Sequence, residues 1–184
     1  MKSGISILIL FVFLYTQVHS QSQPPQPPKE GGIKWVSFEE AYKLNKKKPK
    51  KIFVDVYTDW CGWCKKMDAT TFTNPVIVAY MNKNFYCAKL DAERRDTVIL
   101  DGVTFVNAGP AARRSTHQLA VELLRGKMSY PSYAILDEKG KWINVIPGYY
   151  PAVDFEPMLH FYGNDVYKKQ PWEEFKAGFK GEVK

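Results

Sequence analysis

Ile52-Phe53-Val54-Asp55-Val56-Tyr57-Thr58-Asp59-Trp60-Cys61-Gly62-Trp63-Cys64-Lys65-Lys66-Met67 is the stretch whose reading decides the fold. Its first six residues are an apolar, β-branched run with the length and composition of a buried strand. Thr58 and Asp59 break that run, and Cys61 to Met67 then opens a helix. The two thiols therefore stand where a strand hands over to a helix, with Cys61 at or next to the helix start. Unpaired backbone N–H groups and the helix dipole favour a thiolate there and lower the cysteine pKa. Two intervening residues make about one helical turn, so the second sulfur can lie under the first and close a small ring. This is the geometry of a reversible dithiol switch and marks the candidate functional centre.

CxxC has other readings. A zinc site needs four ligands, usually a second Cys or His pair at defined spacing. Only Cys87 remains, with His19, His117 and His160 scattered singly, so no metal is expected. A c-type haem needs His directly after the second Cys, where Lys65 stands. An inert structural bridge is the remaining alternative, although such bridges usually close longer loops.

The chain has 184 residues and 45% apolar content, enough for one folded domain with a real core, expected as a monomer. Lys2, the apolar run Ile5 to Tyr15 and the small-x-small pattern Val18-His19-Ser20 read as a secretory signal peptide over 1–20. The run is short for a membrane span, and an uncleaved anchor is the alternative. Four prolines and Gly31-Gly32 make 21–33 a linker. Export lets disulfides persist, so the CxxC is kept either reduced by a dedicated donor or oxidised. The net charge of +7 is concentrated in Lys46-Lys47-Lys48-Pro49-Lys50-Lys51. One lysine run without interleaved aromatics reads as a solvated surface, not a nucleic-acid site.

The domain is expected over 34–184. Ser37-Phe38-Glu39-Glu40 has the form of a capping box that opens a helix to about Asn45. Asn74-Pro75 starts another helix, and Phe85 to Leu90 is a second strand, parallel to the first because of the long crossover. Asp101-Gly102 and Asp137-Glu138-Lys139-Gly140 mark two hairpins. Further helices are expected from near Ser115 to Gly126, from about Asp154 to Tyr162, and from Pro171 with Trp172, Phe175 and Phe179 on one face.

With these elements in place the chain resembles the thioredoxin-fold thiol–disulfide oxidoreductases. The resemblance is carried by Trp60-Cys61-Gly62-Trp63-Cys64-Lys65, by Asp55 six positions before Cys61, by Ala88-Lys89-Leu90-Asp91, and by Tyr130-Pro131-Ser132. Asp59-Trp60-Cys61, Cys64-Lys65, Thr71-Phe72 and Pro75 are particularly similar to the periplasmic reductase domain of the bacterial transmembrane thiol-disulfide interchange protein. The resemblance implies an α/β fold: a central mixed sheet flanked by helices, an insert at about 95–114, and a short C-terminal helix. It implies that Cys61 attacks, that Cys64 resolves the mixed disulfide, and that buried Asp55 with Lys89 beside it moves the proton. Pro131 matches the family's cis-proline facing the dithiol, whose missing N–H leaves Tyr130's backbone free to dock an extended substrate. Trp60, Gly62 and Trp63 complete the expected substrate surface. No organic cofactor is implied beyond the Cys61–Cys64 disulfide itself.

Trp63 departs from the proline or histidine common between the family's cysteines, and the Asp91–Pro131 connection is far longer than a crossover requires. Cys87 lies two residues before Lys89, hence on the same strand face, and reads as a buried inert thiol or a regulatory third cysteine. The expected function is an exported, most simply periplasmic or secreted, reductase of protein disulfides fed by a membrane-bound or other thioredoxin-like electron donor. The alternatives are an oxidase or isomerase, a binding module on the same scaffold, and copper or zinc handling.

Overall fold

A computed structural model describes residues 31–110 and 113–184. The expected signal peptide, residues 21–30 of the expected linker, and Ala111-Ala112 of the insert lie outside the described residues. Ile33, the last residue of that linker, is buried among the core side chains, so packing begins ahead of Trp35.

Strand β1 (Trp35–Ser37) runs directly into helix α1 (Phe38–Lys47), whose N-cap Ser37 accepts a hydrogen bond from the Glu40 N–H. Then come β2 (Lys51–Tyr57), α2 (Gly62–Ala69), one tight turn at Thr71–Thr73, and α3 (Pro75–Asn84). Asn74 caps α3 with Pro75 in its first turn. Strand β3 (Phe85–Asp91) leads to the hairpin β4 (Val98–Leu100) and β5 (Val103–Phe105). Its two-residue turn has φ of +51° at Asp101 and +81° at Gly102, the pairing that favours Asp-Gly there. Helix α4 (Gln118–Leu123), strands β6 (Ser132–Leu136) and β7 (Trp142–Pro147), α5 (Ala152–Gly163) and α6 (Trp172–Gly178) complete the chain.

Helix α4 starts later than the Ser115 signal predicts. Ser115 turns its hydroxyl to Asn107, and the His117 ring takes the capping position by accepting the Leu119 N–H on Nδ1. The far end is as expected: Gly126 has φ of +75° and closes on the Val121 carbonyl.

The sheet order is β1-β3-β2-β6-β7, with β2 parallel to β3 and antiparallel to β6. This is the mixed sheet of a thioredoxin fold. Alternation along β2 sends Ile52, Val54 and Val56 to the face covered by α1 and α4, and Phe53 to the face covered by α2, α3 and α5. Phe53 centres an aromatic cluster with Trp35, Phe72, Phe85, Tyr133 and Phe155, ring centroids 5.4–6.4 Å away. That layer packs on the face of β2 that carries α2, the helix of the second cysteine. The insert's hairpin packs Val98, Leu100 and Phe105 over the α1/α4 face, and Asn107 ties its return by donating to the Arg94 and Ser115 carbonyls. Tail helix α6 sets Trp172 and Phe175 against Phe161 of α5.

Candidate dithiol site

Cys61 is the N-cap of α2, and its Sγ accepts the Cys64 N–H at 3.0 Å. A sulfur there takes up one of the helix's unpaired donors and feels the positive end of its dipole, which stabilises a thiolate. The two cysteines are joined as a disulfide, with Cα atoms 5.3 Å apart. Both residues are only 4% exposed, so helix position and not accessibility distinguishes them in this closed form. Gly62 and Trp63 between them are exposed.

Asp55, six residues before Cys61, is buried on β2 in register with Lys89 of β3 and Tyr133 of β6. Its Oδ2 lies 2.9 Å from the Lys89 ammonium, while Oδ1 is buried with no hydrogen-bond partner among the described residues. Burial pushes the Asp55 carboxyl up to about 6, against the pull of Lys89. Lys89 is shared: its Nζ also lies 2.6 Å from Asp68 of α2, and it sits over the Trp35 and Tyr57 rings. Desolvation works against its charge, but the two carboxylates outweigh it and hold its pKa above the ordinary lysine value.

The Tyr130–Pro131 bond is cis. Outside β6, Tyr130 has no backbone hydrogen bond among the described residues, whereas the Pro131 carbonyl accepts the Gly148 N–H at 2.8 Å. Trp63, Tyr130, Pro131, Gly148 and Tyr149 line a groove of about 330 Å³. Trp60 meets the Tyr130 ring edge-on at 6.0 Å, and the Arg114 guanidinium lies 4.5 Å from the Trp60 ring. Trp63 stands 5.3 Å from Tyr149, with the Lys66 ammonium 4.8 and 4.9 Å from the two rings. Trp60 is itself half exposed.

Cys87 shares the strand face of Lys89 but points into the core, where burial pushes its thiol up to about 12. That is an inert environment for a thiol. Among the described residues no group of three or more His, Cys, Asp or Glu gathers as metal ligands, and the redox group of the site is its own disulfide. Sequence reading missed Asp68, Lys66, Tyr149 and Arg114. Asp68 carried a usable signal, because it follows Cys64 by one helical turn.

The family model of the thioredoxin-like domain matches residues 38–163. Mouse spermatogenesis-associated protein 20 is 32% identical over 103 residues, covering 46% of this chain and 13% of that protein. The thiol:disulfide interchange protein DsbD of Haemophilus ducreyi is 31% identical over 87 residues, 42% of this chain and 15% of that protein. The chain thus spans only a small part of these relatives. A thioredoxin-fold protein from Helicobacter pylori superposes with a TM-score of 0.54 at 16% identity, covering 80% of this chain and 89% of that one, a likeness of fold.

Proposed function

The chain belongs to the thioredoxin-like family and is a thioredoxin-like thiol–disulfide oxidoreductase; on that premise we propose that it reduces disulfides of exported proteins. The observation carrying this reading is the Cys61 sulfur at the α2 N-cap, held by the Cys64 N–H. The Cys61 thiolate attacks a client disulfide, the client S–S bond breaks, and one client thiolate leaves as a Cys61–client disulfide forms. Cys64 loses its proton to Asp55 and attacks the Cys61 sulfur, closing the Cys61–Cys64 bond and releasing the second client thiol. Two electrons pass from dithiol to client. Lys89 positions Asp55 and limits how far its pKa rises. Trp60, Gly62, Trp63, Tyr130 and Pro131 receive the client segment.

Turnover requires a reductant, proposed as a membrane-bound carrier or another thioredoxin-like donor, and the N-terminal apolar run supports export to a periplasm or secretory route. The interchange protein among the relatives supports the same chemistry. Insulin reduction with dithiothreitol as donor tests the reading: Cys61→Ser is expected to abolish acceleration, and intact turnover in that variant would sink it. The couple's reduction potential sets direction. A value near that of thioredoxin, about −270 mV, fits a reductase, and one near about −120 mV fits an oxidase.

A further inference from the structure

We propose that the groove beside the dithiol selects its client by side chain, taking an aromatic residue adjacent to the client cysteine and a carboxylate on the Lys66 side. This rests on the exchange reaction above and names the class of segment it acts on. At about 330 Å³ the groove stands at the small end of ligand sites and has room for one large side chain. Three of its five lining residues are Trp63, Tyr130 and Tyr149, so an entering ring finds the offset and edge-on surfaces that aromatic pairs prefer. Trp63 is 56% exposed, a large apolar surface kept open between the two reacting cysteines. The groove is continuous with Tyr130, whose backbone is free to align an extended chain.

Charge gives the segment a direction. Lys66 is held over Trp63 and Tyr149 and has no carboxylate partner among the described residues. At Tyr130 burial pushes the hydroxyl pKa up, a hydrogen bond with Thr116 pulls against that, and the charges of Glu93 and Asp91 add to the rise. Asp59 precedes Trp60 at the exposed turn. A client carboxylate is thus welcome beside Lys66. Arg114, stacked on Trp60, holds that outer wall with the insert's own end.

The test uses the reduced protein and short peptides that each close one internal disulfide, followed by acid quench and chromatography. One pair carries Phe or Ala next to the first cysteine; a second carries Glu or Lys beyond the Phe. Glutathione disulfide serves as a substrate that lacks the side chain. The Phe peptide is expected to react about tenfold faster than the Ala peptide, and the Glu peptide about threefold faster than the Lys peptide. Within Tyr149→Ala the Phe/Ala ratio should collapse toward one, a comparison from which any general loss of rate cancels. Lys66 is exposed, and in Lys66→Glu the Glu/Lys preference should invert. Equal Phe and Ala rates alongside consumption of glutathione disulfide would overturn the groove and leave thiol exchange standing. A Phe preference that survives Tyr149→Ala would overturn it too, and exchange with none of the disulfides would overturn both readings.

Discussion

Lys51 and Asp55 lie on one face of β2, four residues apart, and both are almost fully buried, yet the two charges are held differently. Lys51 has two carboxylates around it: Glu138 binds it closely, and Asp165, which also meets Lys168 at 2.9 Å, lies 3.0 Å away, both partly exposed to water. Burial works against its ammonium, but the hydrogen bonds outweigh it, and the pKa stands above the ordinary value. Asp55 has one ammonium, shared with Asp68, and an oxygen with no partner among the described residues. Its carboxyl rises to about 6, where a proton can come and go. A buried charge with surplus partners is a fixture of the fold. One with a divided partner is a titrating group, and Asp55, on the strand that leads into the dithiol helix, is of the latter kind.

The sharpest break in this contrast is Asp55→Asn. General acid–base assistance is typically worth ~10²–10⁴ in rate, so thiol exchange at pH 7 should fall by at least about a hundredfold. The same variant should be more stable. A carboxyl whose folded pKa is raised from 3.8 to about 6 contributes its stability below 3.8 and loses it as pH rises through 6. Asn carries no such loss. Unfolding free energies of the oxidised protein from urea titration should therefore coincide near pH 3.5 and differ by about 1–3 kcal/mol in favour of Asn at pH 7.5. Equal stabilities at pH 7.5 would mean that Asp55 does not carry a buried charge.

Lys51→Met is the converse. Removing one partner of a buried pair costs about 3–5 kcal/mol when the other charge stays buried. Here Glu138 and Asp165 are exposed enough to be rehydrated, so a loss of about 2 kcal/mol is expected, with the pH dependence of exchange unmoved. A shift in that pH profile would show the two ends of β2 to be coupled.

Much of this arrangement was legible in the chain. The run from Ile52 to Tyr57 has only one good reading, and the caps at Ser37 and Asn74 and the turn at Asp101-Gly102 are local chemistry that the fold left unaltered. Asp55 could be found because a lone carboxyl on an apolar strand is conspicuous. Other features were not local. Three-residue β1 is too short to show a period, and α4 begins at a histidine whose capping depends on its second nitrogen meeting the Asp96 carbonyl. The aromatic rim draws Trp63, Tyr130 and Tyr149 from three segments, and no spacing announces that they meet. The sheet's register puts Lys89 beside Asp55, and only the packing of α2 brings Asp68 to the same ammonium.

Lys89→Met should move the midpoint of the pH–rate profile upward by about one unit, because Asp55 then loses its sole cationic partner among the described residues. Asp68→Asn should move it the other way, and less. Asp68 raises the Asp55 pKa by its charge, and its hydrogen bond to Lys89 divides the ammonium between two oxygens 2.6 and 2.9 Å away. With the amide in place the ammonium answers to Asp55 alone, so the carboxylate is favoured and the midpoint falls. The Asp68 side chain is 45% exposed, and a charge so placed is screened, so the fall should be about a few tenths of a unit at low salt. It should shrink further in 0.5 M salt, about the range where the Debye length drops to a single contact distance. A midpoint that does not fall in Asp68→Asn would mean that Lys89 is not divided between the two carboxylates.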